Sequence, residues 1–245
     1  MEQFPIAAPE FTGDSRTVDA GSGFDWLRQG WALFMAQPAQ WLVMSLLMMV
    51  MMLGISIVPL IGALAANLLT PVFLAGMQHA SRRVLNGEKP EASDLFAGFS
   101  TQTGNLVTVG FFYMLGAFCI FLVGLAVGGG GVVGGLMAGS VLGAGVAFGG
   151  MALAMILSVL LSVPLFMAMW FAPALVFFNQ MSPINALKAS FNACAKNTLP
   201  FLVYGLIVLV LAFFAALPLL LGFLVLLPVI AGSVYVSYRD IFLAD

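Results

Sequence analysis

Asp, Glu, Lys and Arg are absent from three long stretches of this chain, residues 29–81, 95–187 and 197–238. A helix needs about 20 apolar residues to cross a bilayer. The first stretch, 53 residues, and the last, 42 residues, therefore each hold two spans joined by a tight turn. The predicted arms are 40–58 and 60–81, turned at Pro59 and Gly62, and 199–217 and 219–237, turned near Pro218. The middle stretch of 93 residues begins with a span at 104–127 and ends with one at 151–178. Between them lies a glycine-rich piece, 128–150, whose placement sets the topology.

The charges decide between two topologies. If 128–150 does not cross, there are six spans, and all eight basic residues (Arg16, Arg28, Arg82, Arg83, Lys89, Lys188, Lys196, Arg239) share one side. A crossing at 131–150 would move Lys188, Lys196 and Arg239 to the other side, five against three. The positive-inside rule favours six spans with both termini cytoplasmic. All ten acidic residues then lie inside as well, and the outer face carries no formal charge.

A short pattern, L-x-x-[GS]-[FW], precedes each hairpin: Leu27 to Trp31, Leu95 to Phe99 and Leu187 to Phe191. In the first and third copies Phe24, Leu27, Trp31 and Phe34 match Ile184, Leu187, Phe191 and Cys194 at a constant offset of 160. An apolar stripe opposite Asp25, Arg28 and Gln29, or Asn185, Lys188 and Asn192, suits a helix lying in the membrane interface. Trp31, Phe99 and Phe191 are the interfacial candidates. The returning arms also match, Ala75-Gly76 through Ser81 and Arg83 with Ala231-Gly232 through Ser237 and Arg239, and carry Pro71, Pro173 and Pro228. The expected fold is an all-α polytopic transmembrane bundle: six spans as three parallel repeated hairpins with interfacial helices, in one domain, 24–245, behind a flexible cytoplasmic tail, 1–23. The middle hairpin carries an insertion of about 34 to 37 residues, coinciding with the glycine run. Within it Gly131, Gly135, Gly139 and Gly143 recur every four residues, which on one helix makes a face for close packing.

Composition agrees with a membrane location. Hydrophobic residues make up 62% and charged residues 7%, against about 25% charged in soluble domains. A net charge of −2 without a basic block excludes a nucleic-acid surface. Met1 to Gly23 has charges and no apolar core, unlike a cleavable signal peptide. Cys119 and Cys194 lack metal or disulfide spacing and read as small buried hydrophobes. No charged residue sits at the centre of a predicted span, which argues against a proton relay. The lone His79 has no partner motif and reads as interfacial. The Met44, Met48, Met52 stripe, with no Cys or His beside it, reads as packing rather than a copper site. Trp26, Trp31, Trp41, Trp170, Tyr235 and Tyr238 read mostly as interfacial anchors. Arg82, Arg83 and Lys89 sit on a loop that also holds Glu88, Glu91 and Asp94; a solvated, roughly neutral loop is the first reading and contact of the two arginines with anionic headgroups the second. No cofactor is indicated.

Several strings, Val18-Asp19-Ala20-Gly21, Gly30 to Phe34 with Pro38 and Trp41, Leu95 to Phe99, Trp170 to Leu175 and Ser237 to Phe242, together span nearly the whole chain. In them the protein resembles a family of uncharacterised bacterial inner-membrane proteins, distantly similar to the membrane domain attached to some glycerophosphodiester phosphodiesterases. The resemblance implies location and architecture and brings no activity. The expected function is a non-enzymatic membrane scaffold binding lipids and a membrane-protein partner or a second copy. A carrier or channel for a neutral or lipid-like solute is the alternative, and an intramembrane enzyme comes third.

Overall fold

The computed structural model describes residue 11 and residues 13–59, 61–138 and 141–243. Among these the fold is all-helical, with a single isolated bridge between Phe11 and Leu243. α1 (Ser22–Ala36) leads into the first hairpin, α2 (Pro38–Ser56) and α3 (Ile61–Leu85). A 3-10 turn, η1 (Ala92–Phe96), and the one-turn α4 (Ala97–Ser100) lead into α5 (Thr103–Ala138) and α6 (Val141–Trp170), followed by α7 (Ala172–Asn179). α8 (Pro183–Lys196) leads into α9 (Thr198–Ala216) and α10 (Phe223–Phe242). Six helical segments are long and apolar enough to span a membrane, with α6 and α7 together forming one of them.

Two of the three returning arms, α3 and α10, form the centre. α10 is 67% buried over its most apolar window and α3 44%, whereas α2 and α9 are each 17% buried. The packed core, with Trp26, Trp41, Phe73, Leu95, Phe171, Leu175, Tyr238 and Phe242 fully enclosed, sits at the charged end of the bundle.

The glycine-rich piece 128–150 is neither a seventh span nor a separate insert. It lengthens both arms of the middle hairpin, so the predicted 104–127 and 151–178 are parts of longer helices. The run Gly131, Gly135, Gly143 accordingly does not share one helix face: Gly131 and Gly135 lie on α5 and Gly143 on α6. Gly139 lies outside the described residues.

The tail expected at 1–23 is anchored over its described part. Arg16 N donates to Ile241 O at 2.9 Å, and Val18 N donates to Asn197 Oδ1 at 2.8 Å. Asn197 Nδ2 in turn donates to Arg16 O at 2.9 Å. These backbone groups find partners on the buried Asn197 and the end of α10, so the segment runs as a strap across the charged end, and Ser22 and Gly23 already belong to α1.

Candidate functional site

Three regions carry the candidate residues: a clasp repeated at the charged end, the polar surface beside it, and the α5–α6 seam. In the clasp, the small residue of each L-x-x-[GS]-[FW] pattern lies against the backbone of a returning arm. A Cβ on Gly30 would stand 2.5 Å from Val229 O and 2.8 Å from Ser233 N of α10. One on Gly98 would overlap Val72 O of α3. Ser190 accepts from Phe171 N at 2.9 Å and donates to Met167 O at 2.7 Å, spanning the break between α6 and α7. Each leading element thus grips the hairpin before it, and α1 closes the ring on the last.

These contacts make Val72, Met167 and Val229 equivalent and move the expected match between returning arms by one residue. Arg82, not Arg83, corresponds to Arg239, while Pro71 and Pro228 still correspond. Pro173 does not, because it stands in the first turn of α7, six residues after Met167. There it has no N–H to continue α6, and the Ser190 hydroxyl satisfies the groups left at the break.

The leading helices repeat their burial as well. Trp26, Gly30, Leu33 and Phe34 are buried in α1, as are Ala186, Ser190, Ala193 and Cys194 in α8 at the same offset of 160. Trp31, Phe99 and Phe191, each next to a clasp residue, are 49%, 39% and 39% exposed. Each is half-covered: Trp31 packs on Phe34 at 5.5 Å and Phe99 on the buried Phe73 at 5.2 Å. The middle leader is shorter, one 3-10 turn and one α-turn.

The two adjacent arginines differ in role. Arg83 Nη1 donates to both oxygens of the buried Asp94, at 2.9 and 3.0 Å, while its Nε reaches Glu88 at 3.0 Å and its Nη2 reaches Glu91 at 3.4 Å. Asp94 also accepts from Glu91 N at 2.8 Å, closing a capping box on η1. The loop read as solvated is thereby pinned, and Arg83 is not free for a headgroup. Arg82 is exposed and holds its guanidinium 4.8 Å above the Phe178 ring. His79 stands 3.7 Å from Asp94 Oδ1 and edge-on to Phe177 at 5.7 Å.

Near the end of α10, Arg16 pairs with Asp240 at 2.6 Å, and Trp26 Nε1 donates to the other oxygen of Asp240 at 2.8 Å. Trp26 therefore anchors the strap and α10 from inside the core. Burial pushes the Cys194 thiol up to about 12, so it stays protonated at neutral pH. Met44 is buried, and Met48, Met51 and Met52 pack against the core.

The seam between α5 and α6 is made of small residues meeting in antiparallel register. Gly124 faces Ser158, Gly128 faces Ala154, Gly131 faces Gly150, and Gly135 faces Ala147 and Gly143. A Cβ on Gly131 would lie 2.7 Å from Gly150 Cα. Gly124, Gly128, Gly131 and Gly135 follow a 4-3-4 spacing, the heptad step of a left-handed helix pair. The four-residue glycine spacing does not mark the partner face. Ser158, Ala154, Gly150, Ala147 and Gly143, themselves three or four apart, were its signal.

Between α6 and α9, where the middle and last hairpins diverge, an apolar groove of about 420 Å³ is lined by Phe166, Trp170, Phe201 and Tyr204. The buried Trp170 Nε1 meets no hydrogen-bond partner among the described residues.

Over 203 residues, 80% of this chain and 75% of the relative, the sequence is 31% identical to a probable inner membrane protein of Burkholderia thailandensis. No family model matches the chain. No solved structure matches it significantly. The relative's name agrees with the six spanning segments, and at that identity and coverage the chain belongs to the same family of bacterial inner membrane proteins.

Proposed function

We propose that the protein is a non-enzymatic scaffold of the inner membrane that holds a second membrane-embedded chain against the far end of its α5–α6 hairpin. One observation carries this reading: the hairpin is longer than the hydrocarbon core of a bilayer is thick. The 36 residues of α5 make a helix of about 54 Å, against a hydrocarbon core of about 30 Å. Even a tilt of about 40°, steep for a membrane helix, leaves a rise of about 41 Å. The far end carries no charged residue and exposes Val133, Leu136, Met137, Val146 and Phe148. Apolar surface of this kind is stabilised by cover from another chain.

The non-enzymatic reading draws on the polar groups at the charged end, where Asp94, Glu88, Glu91 and Asp240 are turned on arginines. The likeness to the membrane domain of glycerophosphodiester phosphodiesterases is carried to architecture alone. Native mass spectrometry of the chain in mild detergent is expected to retain a second copy or a stoichiometric membrane protein. Leu136→Gln combined with Met137→Gln is expected to release it. A wild-type chain recovered only as a bare monomer overturns the scaffold.

In this reading both termini are cytoplasmic, because the basic residues gather at the end of the bundle opposite the hairpin tip. Reporter fusions at residue 245 and in the 84–94 loop should both report cytoplasm, and external labelling of Lys188 would contradict it. The α6–α9 groove, with its unpartnered indole N–H, favours the second reading, a carrier for a lipid-like solute. Lipid flux in proteoliposomes that stops on Trp170→Phe would select that reading over the scaffold.

A further inference from the structure

A cavity of about 400 Å³ opens at the charged end where the C-terminal ends of the returning arms converge. Arg82 from α3, Asn179 from α7 and Arg239 from α10 line it, with Asn86, Tyr235 and Phe178 beside them. The clasp register makes Arg82 and Arg239 equivalent positions of two repeats, so the pseudo-symmetry of the fold brings two arginine side chains to one opening, with Arg239 also bordering the neighbouring cavity that holds Asp25 and Asp240. Neither has a carboxylate partner among the described residues. Asp240, next to Arg239 in sequence, is committed to Arg16 and Trp26 instead. Arg83, next to Arg82, takes up Asp94, Glu88 and Glu91.

Two like charges facing one cavity repel each other, and the favourable counterpart is an anion that both can hydrogen-bond. Attraction of the arginines to the negative ends of their own helices would account for their positions, but it gives no role to Tyr235. That residue is 4% exposed overall and lines the cavity, and its hydroxyl, open to the cavity, makes no hydrogen bond to the described residues. Asn179 accepts from Tyr238 Oη at 2.6 Å through its carbonyl oxygen, which leaves its amide N–H groups as donors. On one flank the wall is aromatic, with Phe178 lying under Arg82.

The geometry points to a binding site for a phosphate-type anion, held by Arg82 and Arg239 with Tyr235 and Asn179 as neutral donors, and with room on the Phe178 side for an apolar substituent. A free phosphate ester and the headgroup of an anionic phospholipid share this chemistry. The site does not depend on what covers the α5–α6 hairpin, so it stands or falls separately from the scaffold.

The test uses the full chain in a neutral maltoside detergent, titrated calorimetrically with inorganic phosphate, dihexanoyl phosphatidylglycerol and dihexanoyl phosphatidylcholine. Phosphate or phosphatidylglycerol should bind and phosphatidylcholine should not. Binding of phosphate identifies a free anion as sufficient, and binding of phosphatidylglycerol alone identifies the lipid headgroup. Arg82→Gln and Arg239→Gln should each weaken binding about tenfold or more, and Tyr235→Phe about threefold. Lys188→Gln removes the same charge from an exposed position outside the cavity and should stay within about twofold. Arg82 is exposed, so Arg82→Gln reads the site even if Arg239→Gln fails to fold. Absence of binding by both anions, or an equal loss in Lys188→Gln and Arg82→Gln, overturns the proposal.

Discussion

The clasped end of the bundle and the far half of the α5–α6 hairpin both rely on backbones approaching where side chains are small, yet they are held in different ways. At the clasped end, Gly30 meets α10 about 200 residues further along the chain, and Ser190 reaches back across the α6–α7 break. Side-chain hydrogen bonds from Trp26, Asn197 and Arg83 reinforce those contacts. In the far half, the nearest neighbours of Gly131 and Gly135 among the described residues belong to the other arm of their own hairpin. The first region binds three repeats into one body, whereas the second is a local pair that can loosen without undoing the rest. Damage to the clasp should therefore unfold the whole bundle, and damage to the far seam should stay in place.

Gly30→Leu offers the sharpest test, since the added side chain would start inside the backbone of α10. Overpacking typically costs about 1–3 kcal/mol, and rigid backbone contact places this variant at or above the upper end. A thermal melt in detergent should show a large loss for the entire molecule. An unchanged melt would dismiss the clasp.

Ser190→Ala should come next. It leaves the buried Phe171 N–H without its partner, a loss of about 1–3 kcal/mol. Ser190→Thr, which keeps the hydroxyl, should recover part of it. If Ala and Thr melt alike, the bridge across the break contributes nothing measurable.

Gly135→Leu sharpens the contrast from the other side. It should separate the tips of α5 and α6, raising amide exchange around 131–138 and 143–150 while the exchange of α3 and α10 stays slow. Fast exchange throughout would mean that the two regions are one cooperative unit. The smallest effect is expected for Gly205→Ala, because a Cβ there meets nothing within 4 Å. The change should cost nothing and gain at most about 1 kcal/mol from helix propensity in the same melt.

Much of the architecture was legible because lipid makes a strict solvent: stretches free of charge had to be spans, and their lengths counted them. Matches around Leu27 and Leu187 likewise revealed the repeat. The register of the returning arms was not legible, because Ala75-Gly76 aligns with Ala231-Gly232 at one offset and Pro71 with Pro228 at another. Only the placement of Gly30 and Gly98 on carbonyls chooses the second. Neighbouring arginines posed the same difficulty. Arg82 and Arg83 are separated by about 100° around the helix, and which one meets the acidic loop depends on how η1 docks. The polar cavity escaped the sequence reading because Arg82, Asn179 and Arg239 come from three distant segments.

By itself, the sequence determined the six spans, their pairing into hairpins and the gathering of charge at one end, since each follows from whether short stretches can be desolvated. Tertiary structure alone decided which small residues face each other across α5 and α6, which hairpin each leading element grips, and which arginine is left beside an open cavity. Those outcomes depend on the rotation and register of helices far apart in the chain, and the local energies that shape a helix are indifferent to both.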